Sequence, residues 1–142
     1  MLVTQILRGK GSDVVTVGPD DTVVGLLDVL AAHRIGAAVV VDEADRVVGI
    51  VSERDVVRGL QQFGAEVLDR PVESLMTRKV VTCRRDTAID DLMSVMTQRR
   101  IRHVPVVDGD DLVGIVSIGD VVKSRIGELE SERDGLVAYI GG

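Results

Sequence analysis

Apolar positions along this chain follow two rhythms in turn, and the same succession of rhythms occurs twice. Short β-branched runs at Val14 to Val17 and Val80 to Cys83 predict strands, and each leads through Asp and Thr into a stretch of helical period. In the first stretch Val23, Leu26, Leu27 and Leu30 share one face; in the second Ile89, Leu92, Met93 and Met96 do. Asp20 to Thr22 and Asp86 to Thr87 stand where helix N-caps are expected. Continuous apolar runs follow, Ala38 to Val41 with Val47 to Val51, then Val104 to Val107 with Leu112 to Val116. Joined by acidic turns, these predict hairpins of buried strands. A short helix is expected to start at Ser52 and again at Ser117.

The repetition is a duplication. At an offset of 66, residues 14 to 42 lie on 80 to 108 without a gap. One residue is then lost between the polar segments Glu43 to Arg46 and Gly109 to Asp111, and VGIVSERDVV at 48 to 57 lies on VGIVSIGDVV at 113 to 122. Turns are where a length change disrupts least. VTQILR at 3 to 8 and VESLMT at 72 to 77 match in part and predict short lead-in helices, with residues 60 to 71 as a linker. After Asp120, the positions Val122, Ile126, Leu129, Leu136 and Ile140 predict an amphipathic helix ended by Gly141 and Gly142, to be covered by the body or by a second copy. The expected division is 1–66, the first unit with its lead-in helix, then 67–126, then a C-terminal helix over 127–142.

Composition narrows the function. The chain has 142 residues, 45% hydrophobic and 28% charged, which describes a folding protein. Its net charge is −6 and it holds no Trp, one Phe and one Tyr. Neither the basic field nor the aromatic platforms of a nucleic-acid binder are there, so DNA and RNA are not expected partners. A lone Cys83 offers no internal disulfide and no zinc site, which points to a reducing compartment, the cytoplasm by default. No leader and no apolar run of spanning length stands out, so no membrane association is expected.

The tightest repeated segment, GIVSERD at 49 to 55 and GIVSIGD at 114 to 120, lies where a strand gives way to a helix. Ser52 and Ser117 suit N-caps, Asp55 and Asp120 suit the third helical position, and Gly49 and Gly114 suit a tight strand start. The same groups have a second use. An acceptor-only carboxylate suits a ribose diol, and a hydroxyl beside free backbone N–H groups suits a phosphate. On the pattern alone both readings stand. Arg102 and His103, where the first unit has Gly36 and Ala37, add two donors for an anion, with Arg54 a further candidate; the competing reading is a solvated charged turn with a partly buried His for the pair, and an exposed helix-face arginine for Arg54. Ser52 and Asp55 with His33, or Ser117 and Asp120 with His103, can be drawn as hydrolytic triads. No nucleophile elbow, HExxH or phosphate-loop lysine accompanies them, and the base is not duplicated, so neither catalytic residues nor metal ligands are expected.

The order of these segments resembles the CBS motif, named for cystathionine β-synthase, and its repetition resembles a CBS domain pair of the stand-alone bacterial kind. The resemblance covers about 14 to 58 and 80 to 124. It implies an α/β (α+β) fold of tandem β-α-β-β-α motifs packed as a pseudo-twofold pair. It also implies a regulatory, non-enzymatic module that binds AMP foremost, or ADP, ATP or NAD, in clefts between its halves, and needs no other cofactor. By the same resemblance Asp55 and Asp120 hold ribose hydroxyls, and Ser52 and Ser117 touch ribose or phosphate. Ala37, Val39, Ile50, Val104, Pro105 and Ile115 sandwich adenine; Thr16 and Thr82 line the sites; Arg102 and His103 bind phosphate. The first half departs from the pattern at Val39, where proline is usual, and lacks the basic pair. CBS pairs commonly form flat homodimers through their helices and signal to a separate effector protein. The competing expectation is an interaction module whose clefts have degenerated.

Overall fold

The computed structural model describes residues 1–11 and 13–141; the proposed helix stop at Gly142 lies outside them. In chain order it runs α1 (Val3–Lys10), β1 (Thr16–Val17), α2 (Val23–His33), β2 (Ala37–Val41), β3 (Val47–Ser52) and α3 (Glu53–Phe63). After 3-10 turns at Gly64–Asp69 and Val72–Ser74 come α4 (Ile89–Arg99), β4 (His103–Asp108), β5 (Asp111–Ser117) and α5 (Ile118–Gly141). β1 is parallel to β2, and β2–β3 and β4–β5 are antiparallel hairpins, each with an irregularity at the same repeated place, Val40/Val41 and Val106/Val107.

The two halves share local chemistry down to their helix ends. α2 and α4 both stop on an arginine in the left-handed region, Arg34 at φ 53° and Arg100 at φ 54°. The following Ile35 and Ile101 N–H groups bond back to Leu30 and Met96 carbonyls, both at 3.1 Å. Val17, Val23, Leu26, Leu30, Ala38, Val40 and Val51 make the first core; Cys83, Ile89, Leu92, Met96, Val104, Val106 and Val116 make the second.

The lead-in segments cross over. Val3, Ile6 and Leu7 of α1 are buried in the second core, and α1 is tied there by Val3 N–H to Thr87 O and Ile89 N–H to Met1 O, both 3.0 Å. Val72, with Leu75 and Met76 against it, is buried in the first core, and Thr77 forms a two-way backbone bridge with Ile50. Gly49 and Gly114 are explained by this exchange. Both sit inside strands rather than at strand starts, and a Cβ would meet Met76 Sδ at 2.5 Å on Gly49 and Leu7 Cδ2 at 2.6 Å on Gly114. A glycine inside a strand marks such a close approach.

Several expectations need correction. Val80 to Cys83 is not a strand: only Cys83 bridges β4, through Cys83 N–H to Pro105 O and Val107 N–H to Cys83 O. α2 is capped by Thr22, whose hydroxyl accepts the Gly25 N–H at 3.1 Å, but its counterpart at 88 is alanine. Thr87 instead closes the preceding turn by accepting the Arg84 N–H at 2.9 Å, so Asp86 and Thr87 do not cap α4. VESLMT makes one 3-10 turn rather than a helix, because its end is drawn into the bridge with Ile50. Residues 60 to 71 are more than a linker, since α3 runs to Phe63 and Val67 is fully buried. The helix starting after Ser117 and the C-terminal helix are one element of 24 residues.

Candidate functional site

The repeated Ser and Asp meet at the two strand-to-helix junctions. In the second half Asp120 Oδ2 accepts the Ser117 backbone N–H at 2.9 Å, and the Asp120 N–H donates to Ser117 Oγ at 3.2 Å. In the first half Asp55 Oδ2 accepts both the Ser52 backbone N–H at 2.8 Å and the Ser52 hydroxyl at 3.1 Å. These are the reciprocal contacts of a helix start. Each employs one carboxylate oxygen, and among the described residues Oδ1 of neither Asp takes a hydrogen bond, so acceptor capacity remains for a ligand.

Strand register then sorts the remaining candidates. Ala37 lies opposite Ser52 and Val39 opposite Ile50; His103 lies opposite Ser117 and Pro105 opposite Ile115. Because side chains alternate, the four on each sheet share the face turned away from the helix-packed Ala38 and Val40 in the first sheet and Val104 and Val106 in the second. Val104 thus presents only its backbone on the candidate face. Ala37, Val39 and Pro105 are buried there, and Ile50, Ile115, both serines and His103 are half-buried.

The two halves meet at His103. A Cβ on Gly36 would lie 3.6 Å from His103 Cε1 and 3.7 Å from the Glu53 carboxyl carbon, so the imidazole of the second half lies beside Gly36 and Glu53 of the first. Burial holds its pKa below the ordinary value; Arg102 and Lys10 push the same way, while Asp120 and Glu53 pull against them. At neutral pH the ring is therefore uncharged. Arg102 is exposed, and its carbonyl accepts the Ile118 N–H at 2.8 Å, which ties it to the start of α5.

Lys10, from the end of α1, was not foreseen. Its Nζ is 2.7 Å from Asp120 Oδ2 and donates to Ile115 O at 3.0 Å. Burial opposes ionisation of Asp120, but the hydrogen bonds from Lys10 and Ser117 prevail and hold the carboxyl below its ordinary range. Lys10 and Asp120 both line a groove of about 720 Å³ between α1 and α5, with Ile6, Gly9 and Lys123 among its walls. Asp55 has no such cation: among the described residues it forms no ion pair, and Arg54 is exposed on α3. Thr16 and Thr82 are exposed. Thr16 lines a separate hollow of about 410 Å³ with Asp13, Asp45 and Asp111.

The CBS domain model matches residues 10–62 and 72–127, both copies of this arrangement. The chain belongs to the CBS domain family. Among curated relatives of this CBS pair is the mitochondrial CBS domain-containing protein CBSX3 of Arabidopsis thaliana, 34% identical over 99% of this chain and 72% of that protein. The inosine-5'-monophosphate dehydrogenase of Methanocaldococcus jannaschii is also 34% identical, but this chain spans only 22% of that protein. Among solved structures, the CBS-domain containing protein ATU1752 from Agrobacterium tumefaciens superimposes with a TM-score of 0.85 at 48% identity, covering 87% of this chain and 92% of that one. The CBS domain pair of protein MJ0100, solved in complex with 5'-methylthioadenosine and S-adenosyl-L-methionine, superimposes with a TM-score of 0.81 at 29% identity, covering 90% and 98%.

Proposed function

We propose that this CBS pair is a regulatory module that binds an adenosine-containing ligand, with Asp120 as the main ribose acceptor. The observation that carries the reading is the convergence on Asp120 of Ser117, His103 and Lys10, drawn from three places in the chain around a carboxylate with an unused oxygen. Uncharged His103, charged Arg102 and charged Lys10 supply donors for a phosphate next to an acceptor for the diol, which favours AMP over the nucleoside. The complex of protein MJ0100 supports the ligand class. The first site keeps Asp55 and Ser52 without a basic partner and is the weaker of the two. Thr16, Thr82, Ala37, Val39, Ile50, Val104, Pro105 and Ile115 are proposed as its and its twin's walls. The module is read as non-enzymatic, since Ser52 and Ser117 are bonded to their own Asp rather than to a histidine. It acts as a homodimer and passes its state to a separate effector protein.

A thermal-shift panel of AMP, ADP, ATP, NAD, 5'-methylthioadenosine and S-adenosylmethionine tests this. A ligand at about 100 times its Kd adds roughly 2.7 kcal/mol, a rise of about 5 to 10 °C for a chain of this size. Asp120→Ala is expected to weaken binding about 10- to 150-fold, more than Asp55→Ala does, as measured by calorimetry. No shift with any member at millimolar concentration leaves the interaction-module reading in its place.

A further inference from the structure

Beyond the body, α5 carries an apolar seam that none of the described residues covers. Val122, Ile126, Leu129, Arg133, Leu136 and Ile140 follow one another at steps of four, three, four, three and four, the 3.5-residue period of a coiled coil. The body takes a neighbouring face of the helix. Val121 is fully buried, Arg125 reaches Asp90 at 3.4 Å and Glu128 at 3.0 Å, and Glu128 meets the N-terminus at 3.9 Å. Val122, Ile126 and Leu129, turned about a quarter circle away, are 47%, 50% and 54% exposed although the body is close.

Charge on the two flanks of the seam selects its occupant. We propose that the seam pairs antiparallel with α5 of a second copy, Ile126 lying opposite Leu129. In that register one flank brings Lys123 against Glu130 twice, and the other brings Arg125 against Glu132 twice. The next layers place Val122 against the stem of Arg133, and Leu136 over Gly119, where a Cβ would meet nothing but the Ser117 hydroxyl. Ile118 then flanks Tyr139, the most exposed apolar side chain of the helix. Two alternatives do worse. Full antiparallel overlap, with Val122 opposite Ile140, sets Glu130 against Glu130 and Glu132 against Glu132. A parallel pair keeps Arg125 against Glu130 but stacks Arg133 on Arg133 and leaves Lys123 facing Ile118 and Glu132 facing Val137. The pairing is self-complementary about a twofold axis, as a dimer interface must be. It takes the homodimer reading one step further by naming the surface.

The test is a charge exchange read by light scattering across a concentration series. Both flank positions are exposed, so the fold, checked by circular dichroism, is expected to survive. Lys123→Glu alone and Glu130→Lys alone are each expected to weaken the dimer by tenfold or more, and the double variant to restore it. In a Cys83→Ala background, a mixture of Val122→Cys and Arg133→Cys chains is expected to cross-link on oxidation, and Val122→Cys chains alone are not. A dimer indifferent to both charge changes, one that only Glu130→Lys disturbs, or one that Val122→Cys cross-links to itself overturns this interface while leaving the homodimer in place. A concentration-independent monomer removes both.

Discussion

Lys10 and Asp120 are separated by 110 positions and meet at 2.7 Å, so the shortest polar contact at the site is invisible to any local pattern. The Ser and Asp spacing at 117 and 120 was legible, because a helix start constrains it within one turn; the cation was not, because no short-range rule links a residue before the first repeat to one ending the second. The ion pair is partly solvated, so Lys10→Met is expected to cost at most about 1 kcal/mol in stability. Its larger expected effect is on selectivity, since the ammonium at Oδ2 offers a phosphate an ion-pair partner and a neutral nucleoside none. The ratio of AMP to adenosine affinity, measured by calorimetry, should fall in Lys10→Met; an unchanged ratio removes Lys10 from the ligand's surroundings. The titrating groups add a pH dependence of definite sign. His103 is held below its ordinary 6.5 and Asp120 below its ordinary 3.8. In each case the unfolded chain takes up the proton first, so both contributions are present at neutral pH and lost on acidification. That of His103 fades as pH falls below about 6.5, and that of Asp120 below about 4. A phosphate beside His103 favours its protonated form, so below the imidazole's ordinary 6.5 AMP binding should take up more protons in the parent than in His103→Gln, visible as a difference in how the calorimetric heat depends on the buffer's ionisation enthalpy.

Among elements, the hairpins and α2 and α4 follow from β-branched runs and helical period, and the structure agrees with them closely. Where the reading failed, a tertiary contact had overridden the local pattern. The apolar run at Val80 to Cys83 has only one residue within reach of β4, and the VESLMT segment gives up helical turns to bond with Ile50. One signal was present and open to another use: a glycine inside each inner strand. The two glycines predict different costs. A Cβ on Gly114 meets only the end of the Leu7 side chain, which can rotate, whereas one on Gly49 also meets the Thr77 carbonyl oxygen at 3.2 Å. Gly49→Ala is therefore expected to destabilise by about 1–3 kcal/mol and Gly114→Ala by less, from urea denaturation midpoints. Equal costs would mean that the Thr77 bridge yields as readily as a leucine rotamer. In α5, Gly127 has open space where a Cβ would stand, so Gly127→Ala should stabilise by about 0.5–1 kcal/mol.

For the molecule as a whole, the duplication invites division near residue 66 into two self-sufficient halves, and the crossed lead-ins contradict that picture of independence. Residues 1–66 carry α1 but not Val72, Leu75 and Met76, which complete the first core; residues 67–142 carry those three but not Val3, Ile6 and Leu7, which complete the second. Separate fragments are expected to lack cooperative thermal transitions, and an equimolar mixture to regain one by circular dichroism. A fragment that melts cooperatively alone would show that its own core suffices. The same crossing orders events in time. On a ribosome α1 is made before either repeat, yet its docking groups, from Cys83 to Val121, belong to the second repeat and follow the whole of the first. Until most of the chain has been synthesised this amphipathic helix has nowhere to lie, and its apolar face is open to any chaperone that waits at the tunnel exit. The Lys10–Asp120 contact can close only after that docking, so the candidate site assembles last, when both repeats have emerged.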